Sequence, residues 1–172
     1  IVLFAFAGNA QIKYQKPNPE ALIRLAANNQ TSSLPGLLPL DIDGDNVIDF
    51  DFRYDTEPNE YFFHIVPTGN NEIIMNSNLN SYGVNYVEPL NSGGNVGNVL
   101  VNPAILWGTV DTRGPLLLDN ANQNFANGQN KSIGVRLKKG TQWVYGWINV
   151  NISANFPKEV KIIDYAIEQQ LD

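Results

Sequence analysis

The sequence contains no cysteine, one histidine and one methionine. Without cysteine there are no disulfides and no thiolate metal sites, so thiols carry no information on the redox compartment. One imidazole cannot furnish the ligand set of a zinc site. With no Cys and no Gly-x-Ser-x-Gly turn, His64 also has no partner of the kind that nucleophilic catalysis needs. It sits in Tyr61-Phe-Phe-His-Ile-Val66 and reads as a packed structural histidine. Charge is scarce too: 16% of residues are charged, with 11 Lys and Arg against 17 Asp and Glu, a net charge of −6. A chain this poor in basic residues cannot displace counterions from a phosphate backbone, so nucleic acid is excluded as a partner, as is an anionic membrane surface. The one adjacent basic pair, Lys138-Lys139, reads as a solvated turn. No segment reaches the roughly 18 apolar residues that span a bilayer, so the mature chain is not expected to insert into a membrane.

At 172 residues the chain reads as one domain, long enough to bury roughly 70% of its unfolded surface without staples. Asn-Gly, Gly-Asn and Asn-Asn pairs recur along it, and these are turn formers. Short alternating segments lie between them at intervals of about ten residues, the spacing of an all-β sandwich. The expected fold is an antiparallel β-sandwich, jelly-roll-like, over residues 11–172. One short helix is expected near the start: Asn18-Pro19-Glu20 supplies a cap and a proline at the first helical position, with Ala21 to Ala27 as its body. A strand is the other reading of Ala21 to Ala27. Residues 1–10 are apolar and end in Gly8-Asn-Ala10, and read as the remnant of a secretory signal cleaved before Gln11. An ordinary first strand is the alternative there.

The densest chemistry lies in Asp41-Ile-Asp-Gly-Asp-Asn-Val-Ile-Asp49. Four carboxylates this close repel one another, and a cation relieves the repulsion. Asp41, Asp43, Asp45 and Asp49 stand at positions one, three, five and nine, and Val47 at position seven can add its backbone carbonyl. Such an all-oxygen set suits a hard ion, so the expected cofactor is Ca²⁺; an acidic, solvated turn with no ion is the alternative. Position six needs a sharp turn, and Asn46 tolerates positive φ better than any residue but glycine. An EF-hand would place Glu at position twelve between helices; here Phe52 stands there, and Ile48, Phe50 and Phe52 are expected on one face and Asp49, Asp51 and Arg53 on the other, as in a half-buried strand. Leu38, Leu40 and Ile42 alternate before the loop, so the ion is expected in the turn of a β-hairpin. The loop resembles that of integrin-type FG-GAP repeats, D-x-D-G-D-G-x-x-D, with Asn46 in place of the second glycine. It occurs once, so a propeller of such repeats is excluded.

Trp143, Tyr145 and Trp147 alternate along one strand and share a face, while Val144, Gly146, Ile148, Val150 and Ile152 share the other. The aliphatic set reads as core. The aromatic set reads either as packed beneath a second layer or as a platform on which sugar rings stack. Asp55, Glu57, Glu60, Asp111 and Asp119 are carboxylates of the type that glycoside hydrolysis uses, but their neighbours mark none of them out, and they read as solvated loop charges.

Ile133-Gly-Val-Arg-Leu137, Trp143-Val-Tyr-Gly-Trp-Ile-Asn-Val150 and Val160-Lys-Ile-Ile-Asp-Tyr-Ala166, following the Asp-rich loop in that order, resemble blocks of exported bacterial β-sandwich proteins. Asn149 departs from the basic residue usual after Trp-Ile. The resemblance implies a secreted or cell-surface module and brings no catalytic residues. The expectation is an exported, calcium-binding, non-catalytic module for a glycan or a surface protein. A purely structural envelope module and a polysaccharide-active enzyme are the alternatives.

Overall fold

A computed structural model describes residues 11–17, 19–24, 37–57, 60–79, 85–90, 96–97, 104–109, 116–118, 125, 128–154 and 159–169. The expected signal remnant and the carboxylates Asp111 and Asp119 lie outside these residues, as do the side chains of Asp55, Glu57 and Glu60. Among the described residues the regular structure is all β, with no helix. Its first part forms β1 (Gln11–Gln15), β2 (Ala21–Arg24), β3 (Leu37–Leu40), β4 (Phe50–Glu57), β5 (Glu60–Pro67) and β6 (Glu72–Leu79). The middle gives β7 (Asn85–Val87), β8 (Pro89–Leu90), β9 (Ile105–Gly108) and β10 (Leu116–Leu118). The last third gives the long strands β11 (Asn130–Lys139), β12 (Gln142–Ile152) and β13 (Glu159–Gln169).

These strands make two layers. The first runs β1-β13-β12-β11-β6-β7, with β2 paired to β13, β8 to β11 and β9 to β6; the second runs β10-β5-β4-β3. Among the described residues a single parallel pairing, Leu116 opposite Tyr86, links the layers at one edge, and every other pairing is antiparallel. Period-2 alternation decides which side chains meet between the layers. Phe50, Phe52, Phe63 and Ile65 from the second layer interlock with Ile73, Ile133, Val135, Leu137, Ile148, Val150, Ile162 and Ile167 from the first, all of them buried. Each such side chain contributes about 1.5–3 kcal/mol by leaving water. The aliphatic face of β12 is buried at every position from Val144 to Ile152, as its alternation predicts. Gly146 belongs to that face because β13 passes too close for anything larger: a Cβ there would meet the Ala166 carbonyl oxygen and the Ile167 side chain. Opposite Asn149 and Val150 the pairing shifts by one residue, from Asp164 to Ile162. This bulge keeps Tyr165 and Ile162 in the core while turning Asp164 outward.

Two expectations are corrected. Ala21–Arg24 is a strand, not a helix: Ala21, Leu22 and Ile23 pair with Ile162, Lys161 and Val160, and Ile23 is fully buried. The cap-and-proline signal is local, and burial of Ile23 in a sheet outweighs it. Strand β4 continues to Glu57, through Asp55 and Glu57, expected as loop charges, because β5 pairs with it as far as Glu60. Strand β6 runs to Leu79, paired with β9 and β7.

Candidate metal centre

The hairpin expected around the Asp-rich loop is present. Leu40 pairs with Phe50 at its base, and the Asp49 amide donates to the Leu40 carbonyl at 2.9 Å. Ile42 and Phe50, both fully buried, anchor the two ends of the loop in the core. Between them the chain turns through left-handed backbone at Gly44 (φ 82°) and Asn46 (φ 68°), the latter as its residue type predicts. The carboxylates organise the turn. Asp41 accepts from the Gly44 and Asn46 amides at 2.7 and 2.8 Å, Asp43 from the Asp45 amide at 3.1 Å, and Asp45 from the Val47 amide at 2.8 Å.

One departure from simple alternation matters most. Ile48 is exposed and Asp49 is 96% buried, the reverse of what hydrophobicity alone would place there. Asp49 is held by three donors' worth of structure: the Ile42 amide at 2.9 Å and the Asn71 amide nitrogen at 3.1 Å bind its carboxylate, while the Thr68 amide binds its carbonyl at 2.9 Å. Burial nevertheless pushes its pKa up to about 6, and the Asp43 charge adds to the rise, against the hydrogen bonds from Ile42 and Asn71 and the positive charge of Lys139.

One carboxylate oxygen from each of Asp41, Asp43 and Asp49 lies within 4.8 Å of the others, a group that could hold a metal ion. Asp45, expected as a fourth ligand, is not among these converging oxygens. Its carboxylate bonds instead to Lys139 Nζ at 2.8 Å, and the same ammonium is ion-paired with Asp43. Burial alone would lower the pKa of Lys139, but its hydrogen bonds to the two carboxylates outweigh that and raise it. The bond from Lys139, with the Val47 amide, lowers that of Asp45. From the edge of the same layer, Lys13 Nζ donates to the Asp43 carbonyl at 2.7 Å and Gln15 to the Ile42 carbonyl at 3.0 Å.

Lys139 is therefore part of the acidic site and not the solvated turn residue expected. The parity of β11 explains its placement. Ile133, Val135 and Leu137 point between the layers, so Lys139, two residues further, points the same way where the core ends and the loop begins. Its spacing from Leu137 was readable in the sequence; the loop waiting opposite was not.

The donor set fits a hard cation. All three converging groups are carboxylates, and a carboxylate offers about four lone-pair positions, so Asp41 keeps acceptor capacity after binding two amides. The remaining ligands of such a cation would come from backbone carbonyls and water.

The aromatic residues of β12 occupy the opposite, outer face of the first layer. Trp143, Tyr145 and Trp147 are each partly buried. Trp147 packs on Tyr14 of β1 with ring centroids 6.1 Å apart, and Tyr145 on Trp107 of β9 at 6.0 Å. The Arg136 guanidinium lies over both Trp143 (4.0 Å) and Trp107 (4.7 Å), held by Glu72 at 2.7 Å. Lys138 Nζ lies 4.5 Å from the centre of the Trp143 ring. Beside this band Tyr14 and Asn149 donate to Asp164 at 2.7 and 2.6 Å, and Ser132 is bonded to Asn149. The polar partners come from four other strands, β1, β6, β11 and β13, which is why the β12 pattern alone did not reveal them. His64 is buried at 4% exposure, its ring 6.2 Å from that of Phe62.

Compared with known proteins, the chain matches no family model, no curated protein and no solved structure.

Proposed function

We propose that this chain is an exported, non-catalytic β-sandwich module that takes up Ca²⁺ in the β3–β4 loop and presents the aromatic face of β12 to a glycan or a surface protein. The observation that carries the metal assignment is the convergence of Asp41, Asp43 and Asp49 within 4.8 Å, one of them buried and hard to ionise without a cation beside it. Asp45 and the Val47 carbonyl belong to the same loop and would complete the shell once Lys139 moves aside. Half-buried Trp143, Tyr145 and Trp147, with the Tyr14–Asp164–Asn149 row beside them, supply what a pyranose needs: flat apolar rings and planar hydrogen-bonding groups. The apolar run before Gln11 supports export.

A second reading rests on Lys139. Its ammonium already neutralises Asp43 and Asp45, so the loop has a cation of its own and the module would be structural without metal.

Titration calorimetry with CaCl₂ decides between them. Ca²⁺ binding that is lost in Asp43→Ala and kept in Asp51→Ala supports the metal centre, because Asp51 lies on the strand beyond the loop, paired with Arg53 at 2.9 Å. At 100 times Kd, Ca²⁺ would stabilise the fold by about 2.7 kcal/mol. No heat of binding and one melting temperature in EDTA and in millimolar Ca²⁺ would leave Lys139 as the resident cation.

A further inference from the structure

Two adjacent residues at the end of β11, Lys138 and Lys139, touch the two surfaces between them. Residues 138 and 139 have opposite parity, so one side chain goes to each face of the layer. Lys139 faces inward, where Nζ joins Asp43 and Asp45. Lys138 faces outward, where Nζ lies over the Trp143 ring. The backbone between them is tied to the loop a second time: the Lys138 amide donates to the Asn71 side-chain oxygen at 3.0 Å, and the Asn71 nitrogen donates to Asp49. The turn that follows is tight, with Gly140 at φ 59°, and Lys138 Nζ also donates to the Thr141 carbonyl at 3.2 Å. A charge change in the acidic loop thus acts on this turn through two contacts, and Lys138 beside the turn is one of the two cations that lie over Trp143.

We infer that the β11–β12 turn is a latch that couples the acidic loop to the aromatic face: while Lys139 is drawn onto Asp43 and Asp45, Lys138 stays over Trp143, and when Lys139 is displaced the turn shifts and Lys138 leaves the Trp143 ring, on which Arg136 remains. A divalent cation competing for the same carboxylates is the natural displacing agent, and that part rests on the metal reading above. The contact chain itself does not, because removing the lysine should have the same effect.

The test uses the three tryptophans, Trp107, Trp143 and Trp147, each of which gives one indole N–H signal in a ¹⁵N NMR spectrum. Trp143→Phe assigns the signal of Trp143, and spectra are recorded in EDTA. Lys139→Gln should move the Trp143 signal by more than a linewidth and leave that of Trp147, which packs on Tyr14 well away from the turn, in place. Lys139→Arg, which keeps a cation on the carboxylates, should restore the wild-type position. Asp45→Asn, an exposed change that leaves the core intact, should move the signal in the same direction as Lys139→Gln and serves where that variant does not fold. An unmoved Trp143 signal in Lys139→Gln, or in Asp45→Asn where Lys139→Gln does not fold, overturns the latch, as does an equal shift of all three tryptophans. Addition of CaCl₂ to the wild type should reproduce the Lys139→Gln shift. Calorimetric Ca²⁺ binding with no movement of Trp143 overturns the coupling alone. Absence of Ca²⁺ binding together with a shift in Lys139→Gln overturns the metal trigger and leaves the latch.

Discussion

The root and the tip of the acidic loop are a few residues apart and obey different physics. At the root, Ile42 and Phe50 are fully buried and Asp49 nearly so; at the tip, Val47 is 63% exposed and Ile48 37%. Asp49 has a pKa raised by burial, while that of Asp45 is lowered by Lys139 and the Val47 amide. The same residue type in the same nine-residue segment shifts in opposite directions, because one carboxylate has lost its water and the other has gained a cation. The root is anchored in the core, and the tip faces solvent and Lys139.

The sharpest way to break this contrast is to hollow out the root. Phe50→Ala should cost about 3–5 kcal/mol in chemical denaturation, the range for a buried aromatic that leaves a cavity. A loss under about 1 kcal/mol would mean that the loop is not anchored in the core.

A smaller effect should come from Asp49 by pH. Its folded pKa of about 6 lies above the ordinary 3.8, so the folded chain binds a proton more tightly than the unfolded one. The destabilisation from ionised Asp49 is complete above pH 6, eases as pH falls through 6, and is gone below 3.8. In EDTA this should raise stability on acidification by on the order of 2 kcal/mol relative to Asp49→Asn, which cannot titrate. Parallel curves for wild type and Asp49→Asn would remove the case for a strained root. Saturating Ca²⁺ should flatten the difference, since a cation beside Asp49 favours its charged form.

Val47→Ala probes the tip and should change least, within about 0.5 kcal/mol, because its side chain buries little. Calcium affinity should also hold, since only the Val47 carbonyl is assigned to the ion. A large loss of either would move the tip into the class of the root.

Much of this was legible along the chain because the signals are short-range. Period-2 alternation placed Phe50 and Phe52 inward and separated the two faces of β12, and the Asp spacing with Asn46 located the turn. The failures share a cause. Asn18-Pro19 favours a helix locally, yet Ile23 is buried by Val160, more than a hundred positions away. Lys138-Lys139 looked like a solvated pair because nothing within a few residues of Lys139 is acidic; its partners lie 94 or more positions earlier. Asp49 looked like one ligand among four because its desolvation depends on Asn71 and the layer above it.

The sequence by itself determined the strand-rich class, the core face of β12, the hairpin and its ring of hard oxygen donors, since each depends on bond geometry and side-chain type over a few residues. The tertiary structure alone decided which of those carboxylates converge, which one is buried, and which internal cation reaches them. Those outcomes depend on distance through space and on exclusion of water, and both are created only when the two layers close on each other.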